Sequence, residues 1–220
     1  MLETAPAGRA WGLAHHFDSF EQQRDASYLG MWLFLAQEIL FFGGLFTAYL
    51  VYRLYHQAAF AAGSHTLDIK LGAFNTAVLI GSSLTMALAV RGAQIGRRKA
   101  LVLFLIATIL LGGVFLGVKV IEYSHKFHEH HVPGPNFVWE EGGDAAGAQM
   151  YFNLYFAMTG LHALHMIVGI GILLPMVVLA WRGAWTPANH NFVEGMGLYW
   201  HFVDIVWIFL FPLLYLLGRH

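Results

Sequence analysis

Five long stretches of this sequence are apolar enough to cross a lipid bilayer, and this feature constrains the fold more than any other. They cover about residues 28–52, 71–90, 101–123, 151–180 and 193–217. At a rise of about 1.5 Å per residue, a helix over each stretch is long enough for a hydrocarbon core of about 30 Å. The sequence therefore predicts an all-α fold, a polytopic membrane bundle of five transmembrane helices.

The composition agrees with a membrane protein and excludes several classes of function. Hydrophobic residues make up 58% of the chain, and only 11% of residues are Asp, Glu, Lys or Arg, whereas about a quarter are charged in a soluble domain. A formal net charge of −1 leaves no basic stripe for nucleic-acid phosphates. The absence of cysteine excludes disulfides, thiolate metal sites, iron–sulfur clusters and covalently attached c-type haem.

Charged residues outside the spans predict the domain organisation and the orientation. Residues 1–27 are too polar for a signal peptide, and we expect a short amphipathic or irregular cytoplasmic arm before the membrane bundle, residues 28–220. One side of the membrane would hold seven Lys or Arg residues, with the tightest cluster between the second and third spans, and the other side four. Because cytoplasmic segments are enriched in Lys and Arg, the N-terminus is predicted inside and the C-terminus outside.

Glu38 places a carboxyl group near the middle of the first span. Hydrocarbon disfavours the charged carboxylate, so the neutral acid is expected unless a partner holds the charge. Two interpretations carry about equal weight here. Glu38 could be a structural acid that makes an interhelical hydrogen bond, or it could be a carboxyl that exchanges protons and is accessible to reagents.

Polar and small residues in the second and third spans indicate helix packing more than transport. Asn75 and Ser82 lie two turns apart, and Thr85 lies one turn further, so the three form a polar stripe. Gly113 and Gly117 form a small-xxx-small pattern, which would let a neighbouring backbone approach.

Lys119 and Glu122 are opposite charges at i and i+3 near the outer end of the third span. Side chains at this spacing are neighbours on a helix and can neutralise each other. A satisfied ion pair is therefore the favoured interpretation, and a proton relay is the alternative.

The fourth and fifth spans carry most of the other ionisable side chains. His162 and His165 point to nearly the same side of the fourth span. Glu194, His201 and Asp204 share one broad face of the fifth, which must meet protein, water or headgroups. Core histidines that bond to Glu194, Asp204 or the backbone are favoured. Ligation of a metal or haem by His162, His165 and His201 is the alternative, although a di-metal carboxylate bundle would need Glu-x-x-His motifs.

Motifs along all five spans resemble subunit III of the haem–copper respiratory oxidases, the cytochrome c oxidase subunit III family. They occur in order and cover essentially everything from residue 28 to the C-terminus. The motifs are Trp32-Leu-Phe-Leu-Ala-Gln-Glu38-Ile-Leu-Phe-Phe, Asn75-Thr76 with Ser82-Ser83, Phe115-Leu-Gly-Val-Lys-Val-Ile-Glu122-Tyr123, Thr159-Gly160-Leu161-His162-Ala-Leu-His165 and Tyr199-Trp200-His201-Phe202-Val203-Asp204-Ile-Val-Trp207. The last two strings are the most specific.

The resemblance implies a non-catalytic subunit of an aerobic terminal oxidase in the bacterial cytoplasmic (inner) membrane. Such a subunit holds no redox metal, packs on catalytic subunit I, binds phospholipid between two helical groups and protects the oxidase during turnover. Subunit II and other oxidase subunits are further expected partners. Haem and copper would belong to the partner subunits, and the whole complex would reduce oxygen to water and translocate protons.

The resemblance also implies roles for individual residues. Glu38 takes the place of the family's buried, carbodiimide-reactive carboxyl near the lipid cleft. Arg182 falls roughly where an arginine holds a lipid phosphate, although the loop that follows is shorter here. No residue is expected to be catalytic or to bind a metal. The expected internal polar residues are Asn75, Lys119, Glu122, His162, His165, Glu194, His201 and Asp204.

Several alternatives stay open on the sequence alone. The long form of the family has seven spans, and the five predicted here correspond to its last five, so another subunit is expected where the first two would lie. An equivalent subunit of a quinol oxidase or of a nitric-oxide-reductase-associated homologue is the second interpretation, because the electron donor binds elsewhere. A stand-alone haem-b or di-metal enzyme, or a proton or ion transporter built on Glu38, Lys119 and Asp204, belongs to a different class. Attachment to a respiratory supercomplex is also open.

Overall fold

A computed structural model describes residues 17–135, 137–139, 143–187 and 190–218, and within these ranges the chain is helical and contains no β-strand. The helices are α1 (Phe20–Tyr55), α2 (Gln57–His65), α3 (Ile69–Gln94), α4 (Arg98–His128), α5 (Ala145–Arg182) and α6 (Asn191–Phe211), and a π-helical turn, Pro212–Leu216, continues α6. All except α2 are long and apolar enough to cross a membrane. The predicted all-α bundle of five spans is therefore confirmed.

The first helix begins well before the predicted start at residue 28. Ser19 caps α1 by accepting a hydrogen bond from the Gln22 backbone N–H at 3.1 Å. The Gln22 side chain accepts in return from the Asp18 backbone N–H at 2.7 Å, which resembles a capping box. The predicted arm over residues 1–27 is therefore helical from Phe20 onward, and its residues 1–16 lie outside the described ranges.

The short helix α2, which was not predicted, connects α1 to α3 and packs on the beginning of α5. Its Phe60 is buried, with the ring centroid 5.2 Å from that of Tyr49 and 5.5 Å from that of Tyr151. A Cβ at Gly63 would lie 2.5 Å from the Tyr151 ring, so only glycine allows this approach. With 9 residues, α2 is too short to cross a bilayer.

Contacts at the two ends of the bundle fix the alternating directions of the spans. Glu194, in the first turn of α6, accepts hydrogen bonds from Tyr28 near the start of α1 and from Gln94 at the end of α3. At the opposite end, Tyr151 near the start of α5 donates to the Leu214 carbonyl at 2.9 Å. The starts of α1 and α6 therefore share one end with the end of α3. That this end faces the cytoplasm stays a prediction.

The helix α6 lies at the centre of the bundle. Half of its membrane-spanning window (50%) is buried inside the protein, against 17% for α1. Its two large anchors, Trp200 and Trp207, are fully buried. Gly112 of α4 and Gly169 of α5 lie against Trp200, since added Cβ atoms there would be 3.0 Å and 2.9 Å from the indole ring. Two glycines on different helices thus make room for one tryptophan.

The predicted small-xxx-small contact at Gly113 and Gly117 is wrong within this chain. A Cβ at either position would meet nothing within 4 Å. The close contact belongs to Gly112, one residue earlier and about 100° away around the helix. Glycine spacing indicated that α4 has a close neighbour but gave the wrong side of the helix.

The polar stripe predicted on α3 does mark helix packing. The Asn75 amide donates to a backbone carbonyl of α4 at 3.4 Å, and the hydroxyls of Thr85 and Thr108 lie 2.8 Å apart. Ser82 accepts a hydrogen bond from the Trp200 indole N–H at 3.1 Å. The stripe therefore satisfies polar groups on both α4 and α6, as the packing interpretation predicts.

The glycine contacts with Trp200 generate a stability prediction. Gly169→Ala should destabilise the bundle by about 1–3 kcal/mol, because the new methyl overpacks against the indole ring. Gly171→Ala on the same helix is the matched control, since its Cβ would meet nothing within 4 Å and alanine favours the helix. Thermal unfolding in detergent should show a lowered midpoint for the first variant only. Equal midpoints for both variants would contradict the close contact.

Candidate functional site

The candidate site is the pair formed by Glu38 of α1 and His165 of α5. Glu38 is only 8% exposed, and its Oε2 lies 3.2 Å from His165 Nε2. The two atoms are close enough to interact electrostatically, but they are not aligned as a hydrogen bond. Phe42 packs on the imidazole with ring centroids 5.5 Å apart. The structure thus brings together two candidates that the sequence placed on separate spans.

The other ring nitrogen of His165 determines where the imidazole proton lies. Nδ1 is 2.9 Å from the Leu161 carbonyl oxygen, which can only accept, so Nδ1 carries a hydrogen. In the neutral ring, Nε2 is then an acceptor that faces Glu38.

The Glu38–His165 pair lies at the edge of the bundle. Tyr199 of α6 donates to the His165 carbonyl at 2.8 Å and fixes α5 on the inner side. On the outer side, the neighbours of Glu38 along α1, Gln37 and Ile39, are exposed. The Glu38–His165 pair therefore lies close to the outer surface of this chain, at the exposed helix α1.

His162 has different surroundings, although it lies only one turn from His165. It is fully buried, and its ring centroid is 5.2 Å from both the Phe115 and the Trp207 rings. Neither of its ring nitrogens has a hydrogen-bond partner among the described residues. Its surroundings are those of a packed aromatic core.

The predicted hydrogen-bond partners of the two core histidines need correction. Neither contacts Glu194 or Asp204: His165 meets Glu38 and a backbone carbonyl, and His162 meets aromatic rings. The predicted hydrogen bond to the backbone is found for His165, whose Nδ1 contacts the Leu161 carbonyl, but not, among the described residues, for His162. The reason is that α5 turns these residues toward α1 and α4 as well as toward α6.

The three histidines do not form a common ligand set. Among the described residues, no group of three or more His, Cys, Asp or Glu side chains is placed to hold a metal ion. His201 Nδ1 lies 2.7 Å from the Ser83 hydroxyl, whereas His162 and His165 have the separate contacts given above. The three histidines therefore do not converge on one metal ion, as a shared metal site would require.

Lys119 occupies the most polar part of the interior. Its Nζ donates to Glu122 Oε1 at 3.1 Å and to the hydroxyls of Tyr155 at 3.3 Å and Tyr215 at 3.0 Å. Both tyrosines also donate to the same Glu122 oxygen. Lys119 is 2% and Glu122 4% exposed, and Nζ lies 4.9 Å from the Trp207 ring centroid. The predicted ion pair forms, with aromatic partners that its spacing did not indicate.

Glu194 joins three helices at the end of the bundle. Its Oε1 accepts from Gln94 at 2.7 Å and lies 3.1 Å from His190 Nε2, while Tyr28 donates to Oε2. A carboxylate in the first turn of a helix also interacts favourably with the helix dipole. Nothing in the spacing of Tyr28 indicates this partner, which lies 166 residues away in the sequence.

His201 and Asp204 both face α3, as Glu194 does through Gln94. The shared polar face predicted for α6 is therefore confirmed. His201 bonds Ser83, but Asp204 is 3% exposed and neither of its oxygens has a hydrogen-bond partner among the described residues.

Arg182 ends α5 and is exposed. It lies near the beginning of α4, because a Cβ at the next residue, Gly183, would be 3.6 Å from Arg98 Nη1. Together with Arg97 and Lys99, these residues make one end of the bundle basic, which suits anionic lipid headgroups. The role of Arg182 as a lipid-phosphate ligand stays a prediction.

Two carboxylates outside the spanning segments hold the opposite end in place. The Gly147 backbone N–H, which donates to Asp144 at 2.9 Å, and the paired His56 lower the pKa of Asp144. Burial alone would raise the pKa of Glu129, but the hydrogen bond from Lys126 at 2.6 Å and its charge lower it overall. Both carboxylates are therefore charged at neutral pH and connect loop residues to α1 and α4.

The Lys119 environment leads to a second prediction. Lys119→Met should destabilise the protein by about 3–5 kcal/mol, because it leaves Glu122 as a buried charge without its partner. The double variant Lys119→Met/Glu122→Leu should recover part of that loss, since it removes both charges. Unfolding in detergent of both single variants and the double variant gives the coupling energy. Additive effects of the two changes would contradict a coupled pair.

Sequence comparisons show the family to which this chain belongs. The family model for cytochrome c oxidase subunit III matches residues 15–219. Cytochrome c oxidase subunit 3 of Synechocystis sp. is 35% identical over 197 residues, which cover 88% of this chain and 76% of the relative. Its counterpart in Thermostichus vulcanus is 33% identical over 216 residues (94% and 96%). Quinol oxidase subunit 3 of Bacillus subtilis is 30% identical over 190 residues (86% of each). The chain therefore belongs to the cytochrome c oxidase subunit III family of haem–copper oxidase subunits.

Proposed function

We propose that this chain is the non-catalytic subunit III of a bacterial aerobic terminal oxidase of the cytochrome c oxidase type, in the cytoplasmic (inner) membrane. The family match over residues 15–219 is the observation that carries the proposal. Haem and copper belong to the partner subunits, and the whole complex reduces oxygen to water and translocates protons. The internal polar groups of this chain join its own helices, which suits a supporting subunit.

Within that complex, the chain packs on catalytic subunit I, beside subunit II and the other subunits, and binds phospholipid. The low burial of α1, 17% of its spanning window, supports a further neighbour on that side, either lipid or protein. The exposed Arg182 at the basic end supports a contact with a lipid phosphate. Glu38 of α1 and His165 of α5 lie just inside this surface, so such a neighbour would lie close to the pair.

An equivalent subunit of a quinol oxidase is the second candidate. It is favoured by relatives of this name, such as that of Bacillus subtilis at 30% identity, beside relatives named as cytochrome c oxidase subunits. The donor would bind to other subunits, so both candidates assign the same role to this chain.

Isolation of the tagged chain from its native membrane in a mild detergent tests the proposal. We expect a much larger co-purifying subunit and a reduced visible spectrum with haem–copper oxidase bands. Oxygen consumption with reduced cytochrome c, compared with a quinol, then distinguishes the two candidates. A chain that purifies alone and colourless, or alone with its own haem, would overturn both.

The role of Glu38 can be tested in the assembled complex. Glu38→Ala should leave assembly and the initial rate of oxygen reduction nearly intact, because no redox centre is expected in this chain. It should change proton pumping or shorten the turnover lifetime, because it removes the buried carboxyl that lies beside His165. Time courses of oxygen consumption and proton release measure both effects.

The matched control for this test is Gln37→Ala, which alters the exposed neighbour of Glu38 on the same helix. It should leave both lifetime and pumping at the wild-type level. Complete loss of initial activity in a fully assembled Glu38→Ala complex would contradict the supporting role.

A further inference from the structure

A groove with a polar floor opens between α3 and α6. It has a volume of about 290 Å³. Its polar side chains are Ser83, His201 and Asp204, and its apolar rim is formed by Ile80, Ile205 and Ile208. We call it the Asp204 groove. The rim residues are about half exposed, so the groove opens to the outside of the bundle.

Among the described residues, Asp204 differs from the other candidate carboxyl groups because both of its oxygens lack a hydrogen-bond partner. Glu38, Glu122 and Glu194 contact a histidine, a lysine and a glutamine respectively. Asp204 is 3% exposed, and neither of its oxygens is hydrogen-bonded within the described ranges. The nearest hydrogen-bonding group is the Ser83 hydroxyl, which interacts with the carboxyl. It lies 2.7 Å from His201 Nδ1, however, and leaves both Asp204 oxygens without a hydrogen bond of normal geometry.

The position of Asp204 along α6 restricts the chemistry of a partner. At a rise of about 1.5 Å per residue, it lies about 15 Å from Glu194 and about 18 Å from Leu216, near the middle of the spanning segment. Acyl chains at this depth carry no hydrogen-bond donor, and lipid headgroups lie at the membrane surfaces. Lipid would therefore fill the groove and leave the carboxyl unpaired, at a cost in free energy.

A transmembrane helix of another protein can supply the missing donor. Its backbone groups are bonded within the helix, so only a side chain is available, and a hydroxyl, amide or indole N–H is long enough to enter between the rim isoleucines. A hydroxyl fits either protonation state of the carboxyl, because it both donates and accepts. The apolar rim then packs against the rest of that helix.

We propose that the Asp204 groove is a docking site for a transmembrane helix of a neighbouring oxidase subunit, which inserts one hydrogen-bond-donating side chain toward Asp204. This inference rests on the proposed function, because it takes its partner from the oxidase complex. It goes further by naming the surface, the residue at its centre and the chemistry that the partner helix must present.

Photo-crosslinking in the assembled complex identifies the occupant. Ile205→p-benzoylphenylalanine places a reactive group on the rim, and Ile121→p-benzoylphenylalanine on α4 is the matched control, since the two positions are 51% and 53% exposed. Mass spectrometry of the products should locate the crosslink from position 205 in a transmembrane helix of another oxidase subunit. Asp204→Leu should weaken that crosslink and leave the products from position 121 unchanged.

The strength of the contact is measured by retention of the chain in the complex as detergent is increased. One interhelical hydrogen bond in a membrane corresponds to about 3-fold to 20-fold in affinity, so Asp204→Leu should weaken retention by about that factor. Asp204→Asn keeps an oxygen acceptor and should have a smaller effect.

Two results would overturn the inference while the proposed function stands: crosslinks from position 205 to lipid alone, or a protein crosslink that Asp204→Leu does not weaken, in a chain that still co-purifies with the oxidase. Failure of the chain to co-purify with any oxidase subunit would instead overturn the proposed function. Should Asp204→Leu prevent assembly altogether, the crosslinks from position 205 with Asp204 intact and with Asp204→Asn decide the matter.

Discussion

A lysine enclosed in a membrane protein needs groups that replace its water, and the packing of this bundle depends on how Lys119 obtains them. Glu122 supplies the opposite charge from the same helix, while Tyr155 comes from α5 and Tyr215 from the turn after α6. Because the two tyrosines also bind the carboxylate, the three helices can hold the charge pair only in one relative position. Because a charge is costly in hydrocarbon, the need to keep Lys119 paired restricts how these helices pack against each other.

The candidate carboxyl groups differ in how many internal contacts they make. Glu122 and Glu194 each bind several donors on different helices, and both lie where helices meet. Glu38, on the exposed helix α1, lies near His165 without an aligned hydrogen bond. Neither oxygen of Asp204 is hydrogen-bonded within the described residues. The groups with the fewest internal contacts are thus the ones near surfaces where this chain would meet lipid or other subunits.

Structural features that depend on a single helix could be predicted from the sequence. The five spans follow from apolar length, and the pair of Lys119 with Glu122 follows from their spacing on α4. The missed features depend on the rotation of one helix against another. Glu38 and His165 were each recognised as candidates, but their pairing requires the relative rotation and depth of α1 and α5.

The same limit explains the wrong glycine contact on α4, but it does not explain the early start of α1. Gly112, and not the predicted Gly113 and Gly117, meets a neighbour, because a shift of one residue moves a side chain by about 100° around the helix. The early start of α1 can be recognised in the sequence, since Ser19 and Gln22 have the spacing of a capping box. The first error could not be avoided without knowing the partner helix, whereas the second could.

The central position of α6 has a consequence for biogenesis. This helix and the turn after it are synthesised after the other five described helices, yet they bring Tyr215 to Lys119 and Glu194 to Tyr28 and Gln94. Until they leave the ribosome, the earlier helices hold these polar groups in the membrane without their final partners. The nascent bundle is therefore open to recognition by membrane chaperones and proteases until α6 has been inserted, and a chain truncated before Asn191 would keep that exposed state permanently.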